Sequence, residues 1–320
     1  MRDGTTCVEF RRVRGDRAEL VVHRDCSVVE LCDSLGLSKP ARQRVLAQEQ
    51  LKDSRVNEPL RGNATLRAGD ELTLLFAPPA TNPLPCAEPA EVLWHDRFAL
   101  AANKPAGLLV HGDGTHAPTL TARVQTNLAK VAQEDGWPYV PAAQAVNRLD
   151  VDTSGIVLMS LTQEFQPAFD ALMARHAPHL HKRYLAIVEG AYPRGPQIIN
   201  EPIARDRHDA RRMRVGKTGK PAQTRVACLE RKGGRSLLAI ELDTGRRHQI
   251  RVHLSHEGHA IVGDALYGHP GSGAHLMLHA YNLDFAHPVT GERVVLTTEW
   301  PQRFAELFVP REVDWSILSL

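Results

Sequence analysis

The eleven residues Asn147 to Val157, Asn-Arg-Leu-Asp-Val-Asp-Thr-Ser-Gly-Ile-Val, constrain this chain more than any other stretch. Short polar side chains and a glycine give way abruptly to the apolar run Ile156 to Met159. Asp and Ser side chains bond nearby backbone groups and glycine tolerates positive φ, so the polar half reads as a tight turn feeding a buried strand. The turn carries a carboxylate, Asp150, two residues after the guanidinium of Arg148. Asp150, Asp152, Ser154 and Gly155 match the first places of a calcium loop, but the twelfth place needs a bidentate carboxylate and holds Leu161. Local chemistry leaves a plain turn and a functional site equally open.

Matching pieces lie elsewhere. Upstream stand Asn103-Lys104-Pro105-Ala106-Gly107-Leu108 and His111; downstream follow Lys182 to Gly190, Gly219 to Thr224, Thr244 to His253, Ile261 to Gly268, Leu278-His279-Ala280 and His287-Pro288. With these motifs in register, the chain from about Val92 to about Trp300 resembles the RluA family of RNA pseudouridine synthases. The family's central motif usually opens with His where this chain has Asn147, and either side chain can hydrogen-bond to neighbouring backbone.

The resemblance implies an α+β fold: a catalytic domain with a mixed, largely antiparallel β-sheet of the pseudouridine synthase type, flanking helices and a central cleft, plus a small α+β N-terminal domain. It implies isomerisation of uridine in structured RNA, with ribosomal RNA favoured over transfer RNA. It makes Asp150 the nucleophile, pairs Arg246 with it, and places Tyr184 against the target base. Isomerisation transfers no external group and changes no oxidation state, so no cofactor is expected. A base inside folded RNA must be extruded, at a cost of about a few kcal/mol, and Arg148 can fill the space it leaves. The competing class is a non-catalytic RNA-binding or ribosome-assembly protein of the same fold, which has no need of Asp150, Tyr184 and Arg246 together. A glycoside hydrolase needs two opposed carboxylates, and Asp152 stands too close to Asp150 for that.

A formal charge of +2 over 320 residues gives no global attraction to a polyanion, so any grip on RNA is local. Arg205, Arg207, Arg211, Arg212, Arg214, Lys217 and Lys220 crowd into one stretch, opposed only by Asp206 and Asp209. Set between apolar segments and containing Gly216 and Gly219, this run reads as a basic hairpin or loop that contacts phosphates. The RNA-binding candidates are Arg148, Arg211, Arg212, Arg214, Lys217 and Arg251.

Five prolines between Phe76 and Pro89 mark a semi-rigid spacer. The organisation expected is a small α+β RNA-binding module over 1–77, a linker over 78–90 and a catalytic domain over 91–320. In the module, Ser27 to Glu30 forms a capping box, and a second helix follows Ser38 with Pro40 in its first turn. Glu71 to Phe76 reads as a strand. The order is similar to the small S-four type RNA-binding module, with a degenerate Lys52 to Asn57 segment.

In the catalytic part, apolar spacing predicts a helix from Thr162 through His176, a buried strand from Tyr184 to Val188, and a helix ending at Gly258. His253, His256 and His259 recur every third residue, but successive helical steps splay them, so no metal site is expected. Five cysteines without a C-x-x-C pair argue against a disulfide framework or zinc ribbon. With no targeting run and no span of about 20 apolar residues, a cytoplasmic protein without membrane contact is expected, and a modular RNA enzyme of this size is expected to be a monomer.

Overall fold

The computed structural model describes residues 6–80, 88–112, 114, 117–174, 179–268 and 275–319. The N-terminal unit contains β1 (Val8–Arg14), β2 (Arg17–Val22), β3 (Cys26–Ser27), α1 (Val28–Ser34), α2 (Lys39–Ala47), β4 (Leu51–Asp53), β5 (Thr65–Leu66) and β6 (Glu71–Leu75). Its main sheet runs β1-β2-β6-β4, all antiparallel. Both expected helix starts are present. Ser27 and Glu30 cap one another across the first turn of α1, and Ser38 accepts from Ala41 N ahead of Pro40.

The larger part follows with β7 (Glu91–His95), β8 (Ala99–Lys104), α3 (Leu120–Glu134), β9 (Gln144–Ala145), β10 (Ser154–Ser160), α4 (Gln166–Ala174), β11 (His181–Glu189) and β12 (Pro196–Ile199). Next come β13 (Ile203–Arg205), β14 (Met213–Val215), β15 (Thr224–Lys232), β16 (Arg235–Leu242), α5 (Gln249–His256), β17 (Leu278–Ala286), β18 (Arg293–Thr297) and α6 (Gln302–Ala305). The fold is α+β, built on a mixed, mostly antiparallel sheet ordered β12-β15-β16-β11-β17-β10-β8-β7, with β18 on β17 and β9 on β10. The helix expected from Thr162 begins only at Gln166: Thr162 O accepts from Phe165 N and Gln166 N in a turn that leads into it, and the Thr162 hydroxyl caps no helical amide. His176 lies outside the described residues.

One junction of this sheet positions the chemistry. Among the described residues, β10 and β17 form its parallel pair, through Ser154 with His279 and Gly155 with Ala280. Ala280 is also the partner of Tyr184 on the other side, in the antiparallel β11–β17 ladder. Strands lie about 4.8 Å apart, so the turn before β10 and the ring of Tyr184 flank a single residue of β17 at roughly 10 Å. Gly155 makes this possible: its φ is +114°, and a Cβ there would stand 2.2 Å from Ala280 O. No L side chain fits such an approach.

Behind the junction runs a directed hydrogen-bond chain. Arg303 Nη2 donates to Ser154 Oγ (2.6 Å), which lies 2.8 Å from His279 Nδ1; His279 Nε2 lies 2.6 Å from Thr298 Oγ1, which donates to Tyr281 O. Burial pushes the His279 imidazole down to about 3, with the Arg303 charge acting the same way, so the ring is a neutral link in this chain.

The proline-rich stretch does not hold the N-terminal unit at a distance. Residues 81–87 of it lie outside the described residues, but both flanks are tied down, Ala77 N to Glu164 (3.0 Å) and Ala90 N to Asn127 (2.8 Å). Phe10 and Phe76 stack edge-on against Phe98 and Phe165, and one buried cluster continues from Leu20 and Leu72 into Ile156 and Phe285. Buried Glu164 also accepts from Gln50 Nε2 at 2.7 Å. Arg97 clamps the tip of the β1–β2 hairpin by donating to Gly15 O and lies over the rings of Phe76 and Trp137.

Candidate active site

Asp150 sits in the turn before β10, and that turn is fastened from below. Lys104, fully buried at the end of β8, donates to Pro105 O, Leu108 O and Val151 O at 2.7–2.9 Å, and Gly107 N adds a bond to Val151 O. Burial lowers the ammonium to about 8 against the opposing charges of Asp152 and Asp150. Asn147 secures the other end: its Oδ1 accepts from Leu158 N at 2.7 Å and its Nδ2 donates to Ile156 O. An amide thus serves where the family usually has an imidazole.

The guanidinium on Asp150 belongs to Arg251, not to Arg246. Arg251 Nη1 donates to Asp150 Oδ2 at 2.9 Å, while its Nε and Nη2 grip Asp264 in a bidentate pair at 2.8 Å. Arg246, expected in that place, precedes α5 on an exposed turn, donates to Pro221 O, and makes no hydrogen bond or ion pair with Asp150. The difference is burial of the helix itself. Gln249 to Leu254 of α5 are all buried, which carries Arg251 into the interior, whereas Arg246 lies before the helix in an exposed segment. Arg251, also expected as a phosphate contact, is only 4% exposed and is engaged by two carboxylates. The sequence held a signal for this: a charge between Ile250 and Val252 demands a buried counterion, and Gly263-Asp264 supplies it.

Asp264 would be raised by its burial, but the Arg251 pair and the amides of Tyr267 and Leu266 outweigh that and hold it below the usual carboxylate range. Arg251 is correspondingly held more firmly protonated. The cation is therefore permanent, and it fixes one oxygen of Asp150. The other, Oδ1, carries no hydrogen bond among the described residues and faces His248 Nε2 at 3.8 Å.

Tyr184 is half-buried and is the fourth residue of β11, which begins at His181, three residues before the strand start expected from the sequence. Burial, reinforced by the nearby charge of Asp150, pushes its phenol well above the ordinary value, so the hydroxyl keeps its proton at neutral pH. Arg148 is exposed two residues before Asp150 and makes no hydrogen bond or ion pair among the described residues. The basic run forms the expected hairpin, β13 with β14. Arg214 and Lys217 are exposed on it, Arg212 lies over the Tyr267 ring at 5.2 Å, and Arg211 is partly neutralised by two bonds to Asp209. Of the histidine series, His253 spends its two nitrogens on Thr224 Oγ1 and Glu201 O.

A carboxylate with one oxygen pinned by a buried cation and the other open, beside a protonated phenol and a basic hairpin, suits a nucleophilic enzyme acting on a polyanion. Comparison with known proteins gives the class. Residues 99–256 match the family model described as RNA pseudouridylate synthase. The chain is 36% identical to ribosomal large subunit pseudouridine synthase D of Xylella fastidiosa over 73% of either protein. It is 33% identical to an uncharacterised RNA pseudouridine synthase, YhcT, of Bacillus subtilis, over 84% of this chain and 87% of that one. Among solved structures, human RNA pseudouridylate synthase domain containing 1 superposes with a TM-score of 0.55 at 25% identity, covering 69% of this chain and 87% of that chain. The chain belongs to the RluA family of RNA pseudouridine synthases and is an isomerase. Among the described residues, no helix is long and apolar enough to cross a membrane.

Proposed function

We propose that this enzyme isomerises a specific uridine of large-subunit ribosomal RNA, with Asp150 as nucleophile acting on a nucleotide swung out of its helix. The relatives named for the ribosomal large subunit support that substrate class. The observation that carries the chemistry is the asymmetric setting of Asp150, with Oδ2 bound by Arg251 and Oδ1 open on a side chain 26% exposed.

In the reaction the N1–C1′ bond breaks, the base turns, a C5–C1′ bond forms, the C5 proton leaves and N1 takes up a proton. Asp150 Oδ1 is the free oxygen that engages the sugar–base centre, while Arg251 steadies its partner. The protonated phenol of Tyr184 packs on the base and can hold a proton near the ring. Arg148 enters the stack as the base departs. Arg212, Arg214 and Lys217 contact phosphates, whereas Arg211, paired with Asp209, contributes less.

The test is mapping of chemically marked pseudouridines in cells lacking the protein and in the same cells complemented with wild type or Asp150→Asn. One lost position in large-subunit RNA should return with wild type and stay absent with the variant. A lost position in transfer RNA would sink the ribosomal assignment, and full restoration by Asp150→Asn would sink the nucleophile.

A further inference from the structure

Two motifs that the chemistry above leaves unused, His248 and Tyr267, meet beside the open oxygen of Asp150. His248 stands just before α5 with φ +57°, a left-handed conformation uncommon for a residue with a side chain. Its ring is nearly buried, with Nδ1 2.7 Å from the hydroxyl of Tyr267 and Nε2 3.8 Å from Asp150 Oδ1.

The hydrogen-bond chain favours one tautomer. Tyr267 Oη accepts from Met213 N at 2.7 Å, and a phenol has one hydrogen to give. With that hydrogen given to Nδ1, the imidazole proton falls on Nε2, toward Asp150. Burial keeps the ring neutral despite the pull of the Asp150 charge. A contact from Arg247 Nε to Nε2, 3.4 Å long and exposed, favours the opposite tautomer. It is the weaker claim, because it would set a lone pair against a carboxylate and leave the Tyr267 hydrogen unused.

Met213 opens the second strand of the basic hairpin. Tyr267 is further engaged by Arg212 of that hairpin and by Arg251, each guanidinium 5.2 Å from its ring centroid. Arg247 Nη2 also donates to Arg211 O. The hairpin and the carboxylate are therefore joined through two side chains.

We propose that His248 is a positioning residue that steers the free oxygen of Asp150, and that Tyr267 couples this position to the hairpin that grips RNA. The inference rests on Asp150 being the reacting group. An RNA strand that seats the hairpin then also seats the carboxylate.

The test follows tritium release from total RNA that was labelled with 5-tritiated uridine in cells lacking the protein. His248→Leu keeps bulk but removes the donor, and should lower kcat about tenfold or more while leaving KM and RNA affinity near wild type. His248→Gln, which restores an N–H near the same place, should recover most of that loss. Tyr267→Phe should lower both kcat and RNA affinity, because it releases Met213 as well as the tautomer. In the His248→Leu background, Tyr267→Phe should add nothing further to kcat.

Wild-type kcat in His248→Leu, equal damage in the Leu and Gln variants, or additive losses in the double variant would overturn the proposal. Asp150→Asn run in parallel separates the two readings. If it still releases tritium, the assignment of Asp150 fails; if it is dead while His248→Leu is unimpaired, only the coupling fails.

Discussion

Arg251→Lys keeps the charge and removes the fork. Arg251 makes three charge-assisted hydrogen bonds at 2.8–2.9 Å to two carboxylates, and an ammonium on a flexible stem cannot span both. Each such bond contributes about 1.5–3 kcal/mol, so losing two costs about 3–6 kcal/mol. Lysine keeps its better-buried partner, Asp264, and the bond to Asp150 is then lost outright. That loss alone corresponds to a roughly 10- to 150-fold fall in turnover, at about 1.36 kcal/mol per tenfold. The remainder appears as a lower urea midpoint. Arg246→Lys forfeits one exposed bond to a carbonyl and should leave stability within about 0.5 kcal/mol. Single-turnover pseudouridine formation and urea titration of the two variants measure both effects. Full activity in Arg251→Lys alongside an inactive Arg246→Lys would refute the pairing.

Gly155→Ala should destabilise by about 2–6 kcal/mol, summing a forbidden φ of about 1–3 and an overpacked contact of about 1–3, read by thermal melting. Unchanged melting would mean that β10 and β17 can part at no cost. Lys104 gives a pH signature. Its folded value of about 8 lies below the unfolded 10.5, so at neutral pH both states carry the proton and burial of the charge costs in full. As pH rises from 8 to 10.5 the folded state loses its proton first, the unfolded state binds more protons, and this contribution to stability increases. Wild type should therefore gain on Lys104→Met across that window, and parallel stability curves would contradict it. Removal of residues 1–77 uncovers Phe98 and Phe165 and strips partners from Glu164, so the remaining chain should lose about 3–6 kcal/mol, the burial of two phenylalanines. A truncated protein that melts with wild type would show the shared core to be dispensable.

Local chemistry was legible wherever the cause was local. Ser27, Glu30, Ser38 and Pro40 fixed two helix starts through capping geometry that depends on four consecutive residues. Gly258 ended α5, and the turn of Asp150 and Gly155 fed a buried strand. The basic hairpin followed from charge set between apolar strands. Thr162 misled because the same hydroxyl-bearing residue that caps a helix can also open a preceding turn.

What sequence alone determined was which residues the chain owns and which short elements they nucleate. Only tertiary structure decided their partners. Asp150 and Arg251 lie 101 positions apart, and the choice between Arg251 and Arg246 turned on the burial of α5, which begins only at Gln249, and on where Asp264 came to rest against it. The placement of Tyr184 across Ala280 from Gly155 is likewise a property of strand order. So is the docking of the N-terminal unit, in which apolar rings overrode a proline-rich stretch that composition marks as a spacer. The physical reason is the same in each case: capping and turn bonds close within a few residues, whereas ion pairs and apolar faces select whatever partner the packed sheet brings within reach.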